Sequence, residues 1–232
     1  MFAAVDRDAR LSDKVTEAIL QTIVSNRLKP GDALPPEREL GKQFGVSRTV
    51  IREALAALGG RGVLTRSQGR ESVVATPGAS DLVNLLQFRV SRRDVGLGHI
   101  LDARIGLEVT GARRAAELAT PEQVAEIRAE FEALAATASK KESGYHAADI
   151  RLHRAIAVAS GNPLIVLILD ALGDFLMDFR VKATKNRRSR GESLEPVIEQ
   201  HRQIVLAIEA GDAEAAEEAM REHLEASRAE IP

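Results

Sequence analysis

Apolar side chains recur at helical spacing along most of the chain. In residues 13–26, DKVTEAILQTIVSN, Val15, Ala18, Ile19, Thr22 and Ile23 form one stripe of a helix. Lys29-Pro30-Gly31-Asp32 supplies two breakers that end it. Residues 36–44, PERELGKQF, open on a proline suited to a first turn and on acids that suit the positive end of the helix dipole. Gly45 closes that segment, and Ser47 is a good N-cap for the next one, SRTVIREALAAL. Gly59-Gly60 follows, each costing about 1 kcal/mol in a helix interior, so this helix is expected to fray at its end. Two short β-like runs then flank a Ser-Gln-Gly-Arg turn in GVLTRSQGRESVVAT. Three short helices followed by a hairpin make a winged helix-turn-helix over residues 1–75.

After a short linker, residues 76–80, the helical pattern is almost continuous. Helices are predicted near 80–90, 95–118, 121–138, 144–160, 163–183, 194–210 and 212–228. Thr120-Pro121-Glu122-Gln123 is a capping box with proline in the first turn. Asn162-Pro163 repeats the cap and proline, Ser193 can cap the helix carrying Pro196, and Gly211-Asp212 ends one helix and starts the next. The basic run 182–191, KATKNRRSRG, is expected to be a solvated loop. The predicted fold is mainly α: the N-terminal winged helix-turn-helix plus a C-terminal all-helical antiparallel bundle over residues 81–232.

Composition agrees with helices. Aromatic residues make up 3% of the chain and there is no tryptophan. The net charge of −2 is uninformative until the chain is divided. Residues 26–70 carry nine Lys and Arg against four Asp and Glu, whereas residues 76–232 carry 20 against 25. A basic end on an acidic remainder suggests that only the N-terminal part meets a polyanion. The lack of cysteine excludes disulfides, thiolate metal sites and cysteine nucleophiles. The longest apolar stretch, PLIVLILDALGDFLM, is broken by Asp170 and Asp174 and reads as a buried helix rather than a membrane span. Charges in MFAAVDRDAR sit where a signal peptide needs an apolar core, so a cytoplasmic location is expected.

The third helix has an apolar face of Val50, Ile51, Ala54, Leu55 and Leu58. Its other face, Arg48, Thr49, Arg52 and Ala56, is small or basic where a recognition helix meets base edges. Arginine can bridge two acceptors of a guanine, and Ser47 and Thr49 can bond phosphates. Gln68, Gly69 and Arg70 at the wing tip can reach an adjacent minor groove.

The second candidate chemistry lies in the bundle. Asp149 and His153 share a helix face one turn apart. His201 lies ten residues before Gly211 and His223 twelve after it. If those helices fold back on each other, both imidazoles stand about 15–18 Å from the turn and therefore at one level. Asp149, His153, His201 and His223 can thus converge inside the bundle, a common place for metal sites. One carboxylate and three imidazoles suit a divalent transition metal such as Zn, Ni, Mn or Fe, with positions left for water or a carboxylate. His99 and His146 fit no such pattern and are expected at the surface.

LKPGDALPPERELGKQFGVSRTVIREALAALGGRGVL resembles the DNA-binding domain of GntR-type bacterial transcription regulators over residues 28–64. That resemblance implies operator contacts by Arg38, Arg48, Thr49, Arg52 and the wing Gly69. An all-helical remainder of this length resembles the FadR-like branch, whose effector domain is called FCD. DARIGLEVTGARRAAELAT, residues 102–120, is similar to that domain's opening helix. The branch pattern of Asp-x3-His followed by two later histidines about 22 apart falls on Asp149, His153, His201 and His223. The resemblance implies a homodimer on double-stranded operator DNA and a small carboxylate effector beside the metal, with Arg104 at the pocket. From the residues alone, Arg104 can equally be an intrahelix partner of Glu108. The function so implied is that of a metabolite-responsive regulator, in this family more often a repressor, and not an enzyme. Two alternatives stay open: a metal-dependent enzyme acting on a small acid, and a metal that is purely structural.

Overall fold

The computed structural model describes residues 10–66, 71–76, 78–92, 94–138 and 144–230. The chain divides into two compact units, one up to Asp81 and one from Leu82.

In the first unit, α1 (Leu11–Ser25), α2 (Glu37–Phe44) and α3 (Arg48–Gly60) precede the antiparallel strands β1 (Leu64–Arg66) and β2 (Ser72–Val74). The α2–α3 turn follows from local chemistry. Gly45 takes a left-handed φ of 66°, and the Ser47 hydroxyl accepts from the Val50 N–H at 3.4 Å. A Cβ on Gly41 would lie 3.1 Å from the Val46 carbonyl oxygen, so the small residue lets the turn close tightly. Val15, Ile19, Ile23, Leu40, Ile51, Leu55 and Leu58 form the core, sealed by Leu64 and Val74 of the strands. Pairing of Ala33 with Val73 places the segment after α1 along the free edge of β2, which the breakers at 29–32 did not foretell. Helix α3 runs through Gly60 instead of fraying at Gly59. Its end is secured by the Arg61 N–H on the Ala57 carbonyl and the Val63 N–H on the Leu58 carbonyl.

Helix α4 (Ala79–Ser91) leads into the second unit, so Ala79 and Ser80 are helical. There follow α5 (Leu97–Leu118), α6 (Pro121–Ala138), α7 (Tyr145–Ala159), α8 (Pro163–Ser189), α9 (Glu195–Ala210) and α10 (Ala213–Arg228). Three of the capping signals act as the sequence suggests, whereas the N-cap of α9 is Leu194 and not Ser193, whose hydroxyl lies one residue earlier and accepts from the Glu195 N–H at 3.4 Å. Thr120 and Gln123 bond each other's backbone N–H, Asn162 caps Leu164, and Asp212 caps Ala215. Gly211, at φ 69°, turns α9 back into α10. The main core joins α5, α6, α7, α9 and α10 around Ile127, Leu134, Leu152, Ile156, Ile204 and Met220. A smaller cluster of Ile100, Leu101, Leu172, Leu176 and Phe179 joins α5 to α8.

The basic run 182–191 is not a loop. Helix α8 continues to Ser189, because lysine, arginine and alanine are good helix formers and cations suit a C-terminal last turn. Arg187 and Arg190 there each reach Glu230, at 2.6 Å.

Leu58 is fully buried in the first unit. Leu58→Ala is expected to cost about 2–5 kcal/mol. The check is a lower urea midpoint, with faster amide exchange confined to the first unit.

Candidate functional site

Helix α3 buries Ile51, Ala54, Leu55 and Leu58 and leaves Arg48, Thr49 and Arg52 exposed, with Ser47 at its start. Arg38 is exposed on α2. These residues form a polar face on the first unit. Arg52 Nε bonds Glu37 Oε2 at 2.8 Å. An exposed pair of this kind contributes at most about 1 kcal/mol, so Arg52 can exchange it for a phosphate or base. Gln68, Gly69 and Arg70 lie outside the described residues.

In the second unit, Asp149, His153, His201 and His223 are all buried and offer four ligand atoms within 4.8 Å of one another. Among the described residues no other group of three or more potential ligands comes together. Two of the four come from α7, one turn apart, and α9 and α10 supply one each. The short turn at Gly211-Asp212 brings the last two level, with ring centroids 4.1 Å apart.

What surrounds the rings sets their orientation. His201 Nδ1 donates to the Val197 carbonyl at 2.8 Å. His223 Nδ1 donates to Gln200 Oε1 at 3.3 Å, and His153 Nδ1 bonds a Glu108 carboxylate oxygen. Every imidazole therefore has an acceptor for an Nδ1 proton, the arrangement that outer partners give metal-binding histidines so that Nε2 can serve as the ligand atom. His153 Nε2 and His201 Nε2 are 3.3 Å apart, and Asp149 Oδ1 is 3.1 Å from His201 Nε2. Lone pairs and a carboxylate crowded this closely repel unless a cation lies among them. The donor set thus fits a divalent transition metal.

The charged groups hold the same protonation pattern. Burial raises the Asp149 carboxyl, but His153, Arg180 and His201 outweigh it and keep it well below its ordinary value. Burial likewise raises Glu108, and Arg104 with His153 pulls it below the usual carboxylate range. Burial lowers His153, with Glu108 and Asp149 opposing. Burial and then His201 and His153 push His223 well down. Ionised carboxylates and neutral imidazoles are the forms that ligate metals. Arg180 Nε bonds Asp149 Oδ2 at 2.7 Å, leaving Oδ1 turned to the histidines.

A cavity that opens to solvent adjoins the cluster. Arg104 and Arg180, Asp149 and His223 line its inner end. Arg104 is only 3% exposed and combines both expectations: it bonds Glu108 and faces the cavity. His99 is exposed, with Nδ1 accepting from the Gly96 N–H at 3.2 Å. His146, expected at the surface, is half-buried and lines the cavity, and its buried Nδ1 meets no hydrogen-bond partner among the described residues. It was missed because it stands three residues before Asp149, on the flank of the helix face that turns inward.

The two units match two known families. Residues 11–74 match the family model of bacterial regulatory proteins of the gntR family, and residues 99–226 match the FCD domain. The chain belongs to the GntR family, with an FCD domain. The regulator is 37% identical over 223 residues to the "Putative L-lactate dehydrogenase operon regulatory protein" of Escherichia coli (strain K12), covering 93% of this chain and 84% of that protein. It is 32% identical to the "HTH-type transcriptional repressor NanR" of Enterobacter sp. (strain 638), over 93% and 83% of the two chains. It is 33% identical to the "Glc operon transcriptional activator" of E. coli (strain K12), over 94% and 88%. Among solved structures, "Streptococcus agalactiae GntR" has the same fold, with a TM-score of 0.72 at 22% identity over 94% of this chain and all of that one. The families and relatives are regulators of transcription, not enzymes.

In this regulator the sequence pointed to the four clustered residues but not to their supports, Arg180, Gln200 and the Val197 carbonyl. Those come from other turns and helices, and only Glu108 carried a signal, its spacing from Arg104.

The metal-free regulator is expected to be acid-labile. His153 and His223 lie below their ordinary 6.5 in the fold, so the unfolded chain binds more protons once the pH drops through that value. Stability then falls with pH. Glu108 and Asp149, also lowered, add a loss of the same sign below about pH 4.5. The melting temperature of EDTA-treated protein should drop between pH 7.5 and 5.5, less steeply in His223→Gln. A flat profile would mean that the imidazoles are not held neutral.

Proposed function

We propose that this transcription regulator senses a small organic or sugar acid at a divalent metal held by Asp149, His153, His201 and His223. The observation that carries the reading is the orientation of the three imidazoles, each with Nδ1 against an acceptor, and with His153 Nε2 and His201 Nε2 at 3.7 and 3.1 Å from Asp149 Oδ1. A Zn, Ni, Mn or Fe ion there would offer a carboxylate an open coordination position. Arg104 and Arg180 at the inner end of the cavity add positive charge for the same anion. Names of relatives support the class: one belongs to an L-lactate dehydrogenase operon.

In this reading residues 1–75 read DNA, residues 76–80 link, and residues 81–232 sense. The protein acts in the cytoplasm as a homodimer, each protomer placing α3 in the major groove of one half-site of a palindromic operator. Arg48 and Arg52 reach base edges, Arg38, Ser47 and Thr49 hold phosphates, and Gln68, Gly69 and Arg70 serve the wing. Acid binding and operator binding change each other's affinity by the same factor. Its relatives include a repressor and an activator, and repression relieved by the acid is the arrangement proposed here.

A thermal-shift panel of small carboxylates tests the sensor, using metal-loaded protein, EDTA-treated protein and His201→Ala. The expected result is an acid that stabilises only loaded wild type. Stabilisation by metal with no added effect of any acid would make the metal structural. Arg48→Ala tests the reader. It should weaken operator binding by about 1–3 kcal/mol if Arg48 bridges a guanine, and unchanged affinity would remove it from the readout.

A further inference from the structure

The cavity extends away from the metal cluster between α8 and α10, and its walls have an order. Arg180, Thr184 and Arg187 stand at i, i+4 and i+7 on α8, and all three line it. His223, Ser227 and Glu230 repeat that spacing on α10 and the turn just beyond it, and they line it too. The two rows run the same way. Arg180 bonds Asp149 at the metal end, and Arg187 Nη2 bonds Glu230 Oε1 at 2.6 Å at the other. Seven helical residues advance about 10 Å, the reach of an extended acid of about six carbons with its terminal oxygens. The rungs are charged, then hydroxylated, then an ion pair.

We infer that the effector is a polyhydroxy monocarboxylic acid, and that Glu230 is the residue that excludes acids with a second carboxylate. This rests on the metal-anchored acid reading above. Thr184 and Ser227, both hydroxyl-bearing, line the cavity halfway along, where a sugar-acid chain carries its own hydroxyls. At the far end Arg187 is already matched, because Glu230 binds both it and Arg190 Nη2, the latter also at 2.6 Å. Glu230 is buried enough, at 13% side-chain exposure, for its charge to be felt. An ionised carboxylate only accepts hydrogen bonds and has acceptor sites beyond those two. A terminal hydroxyl of the ligand can donate to it. A terminal carboxylate cannot, and it could gain Arg187 only by displacing Glu230, a like charge at short range. A site built to pair with a hydroxyl discriminates strongly against a group that leaves it unpaired. Two- and three-carbon acids would engage the metal end and leave the outer rungs unfilled.

The test is calorimetric titration of the metal-loaded full chain with D-gluconate, D-galactonate and D-mannonate. Each is compared with its diacid, D-glucarate, galactarate or D-mannarate, and glycolate is the short acid. At least one aldonate is expected to bind at least tenfold tighter than its diacid and than glycolate. Glu230→Gln should shrink the aldonate-to-diacid ratio to under threefold by strengthening the diacid. Thr184→Val should weaken the aldonate about tenfold and leave glycolate unchanged. A diacid bound as tightly as its aldonate by wild type, or a ratio untouched by Glu230→Gln, overturns the inference. If only glycolate or L-lactate binds, and His201→Ala abolishes it, the outer rows are not a binding surface while the metal-anchored reading stands. If no acid binds, both readings fall.

Discussion

The second unit is organised by charges that its helices bury together. Glu108, Asp149, Arg104 and Arg180 are each less than 10% exposed; Glu108 meets His153, Asp149 meets His153 and His201, and each carboxylate is paired with an arginine. An ion moved from water into such surroundings loses several kcal/mol unless it finds a well-placed partner. The partners lie on different helices: α5 supplies Arg104 and Glu108, α7 Asp149 and His153, and α8 Arg180. The other two imidazoles come from α9 and α10. Sliding one of these helices by a turn would strand at least one charge in a low-dielectric interior. Leucine and isoleucine packing tolerates rearrangement far better. The polar lattice therefore fixes which turn faces which, and the apolar core supplies the burial that makes the lattice stringent.

This division explains what could be read from the sequence. Helices were legible because their ends carry local signals: Ser47, Thr120 with Gln123, Asn162, Asp212 and Gly211 each act within a few residues of where they stand. His201 and His223 were legible as a pair because a two-residue turn makes distance from the turn equal to height in the hairpin. Asp149 with His153 was legible by the helical repeat. Arg180 was not, since it lies 31 residues from Asp149 on a helix whose facing direction depends on tertiary packing. The segment 182–191 was misread for a related reason. Its charges suggested solvent, yet Arg187 and Arg190 are matched by Glu192 and by Glu230, about 40 residues on. Helix propensity then wins, and α8 gains almost two turns.

The two units handle positive charge in opposite ways. In the first, Arg38, Arg48 and Arg52 stand in solvent, where pairing is weak and a phosphate can replace water or Glu37 at little cost. Such a face gains affinity by releasing counterions, and its strength is set by salt. In the second, Arg104 and Arg180 are withdrawn from water and committed to Glu108 and Asp149. Screening hardly reaches them, and their fields act on whatever enters the cavity.

Asp149 stands where these influences meet. One of its oxygens is held by Arg180, and the other lies among the imidazole nitrogens. A carboxylate free to turn could satisfy both oxygens elsewhere and leave the histidines to share a proton. Fixed by Arg180, it keeps negative charge beside three rings whose outer nitrogens already have partners. Glu108 does the same for His153 from the other side, and Arg104 holds Glu108 ionised. The charge and orientation of the cluster are thus decided by residues outside it. Those residues are contributed by α5 and α8, the helices that also join in the smaller core. Packing in that core and the set of the cluster are mechanically one feature. An acid drawn toward Arg104 or Arg180 would act on both at once.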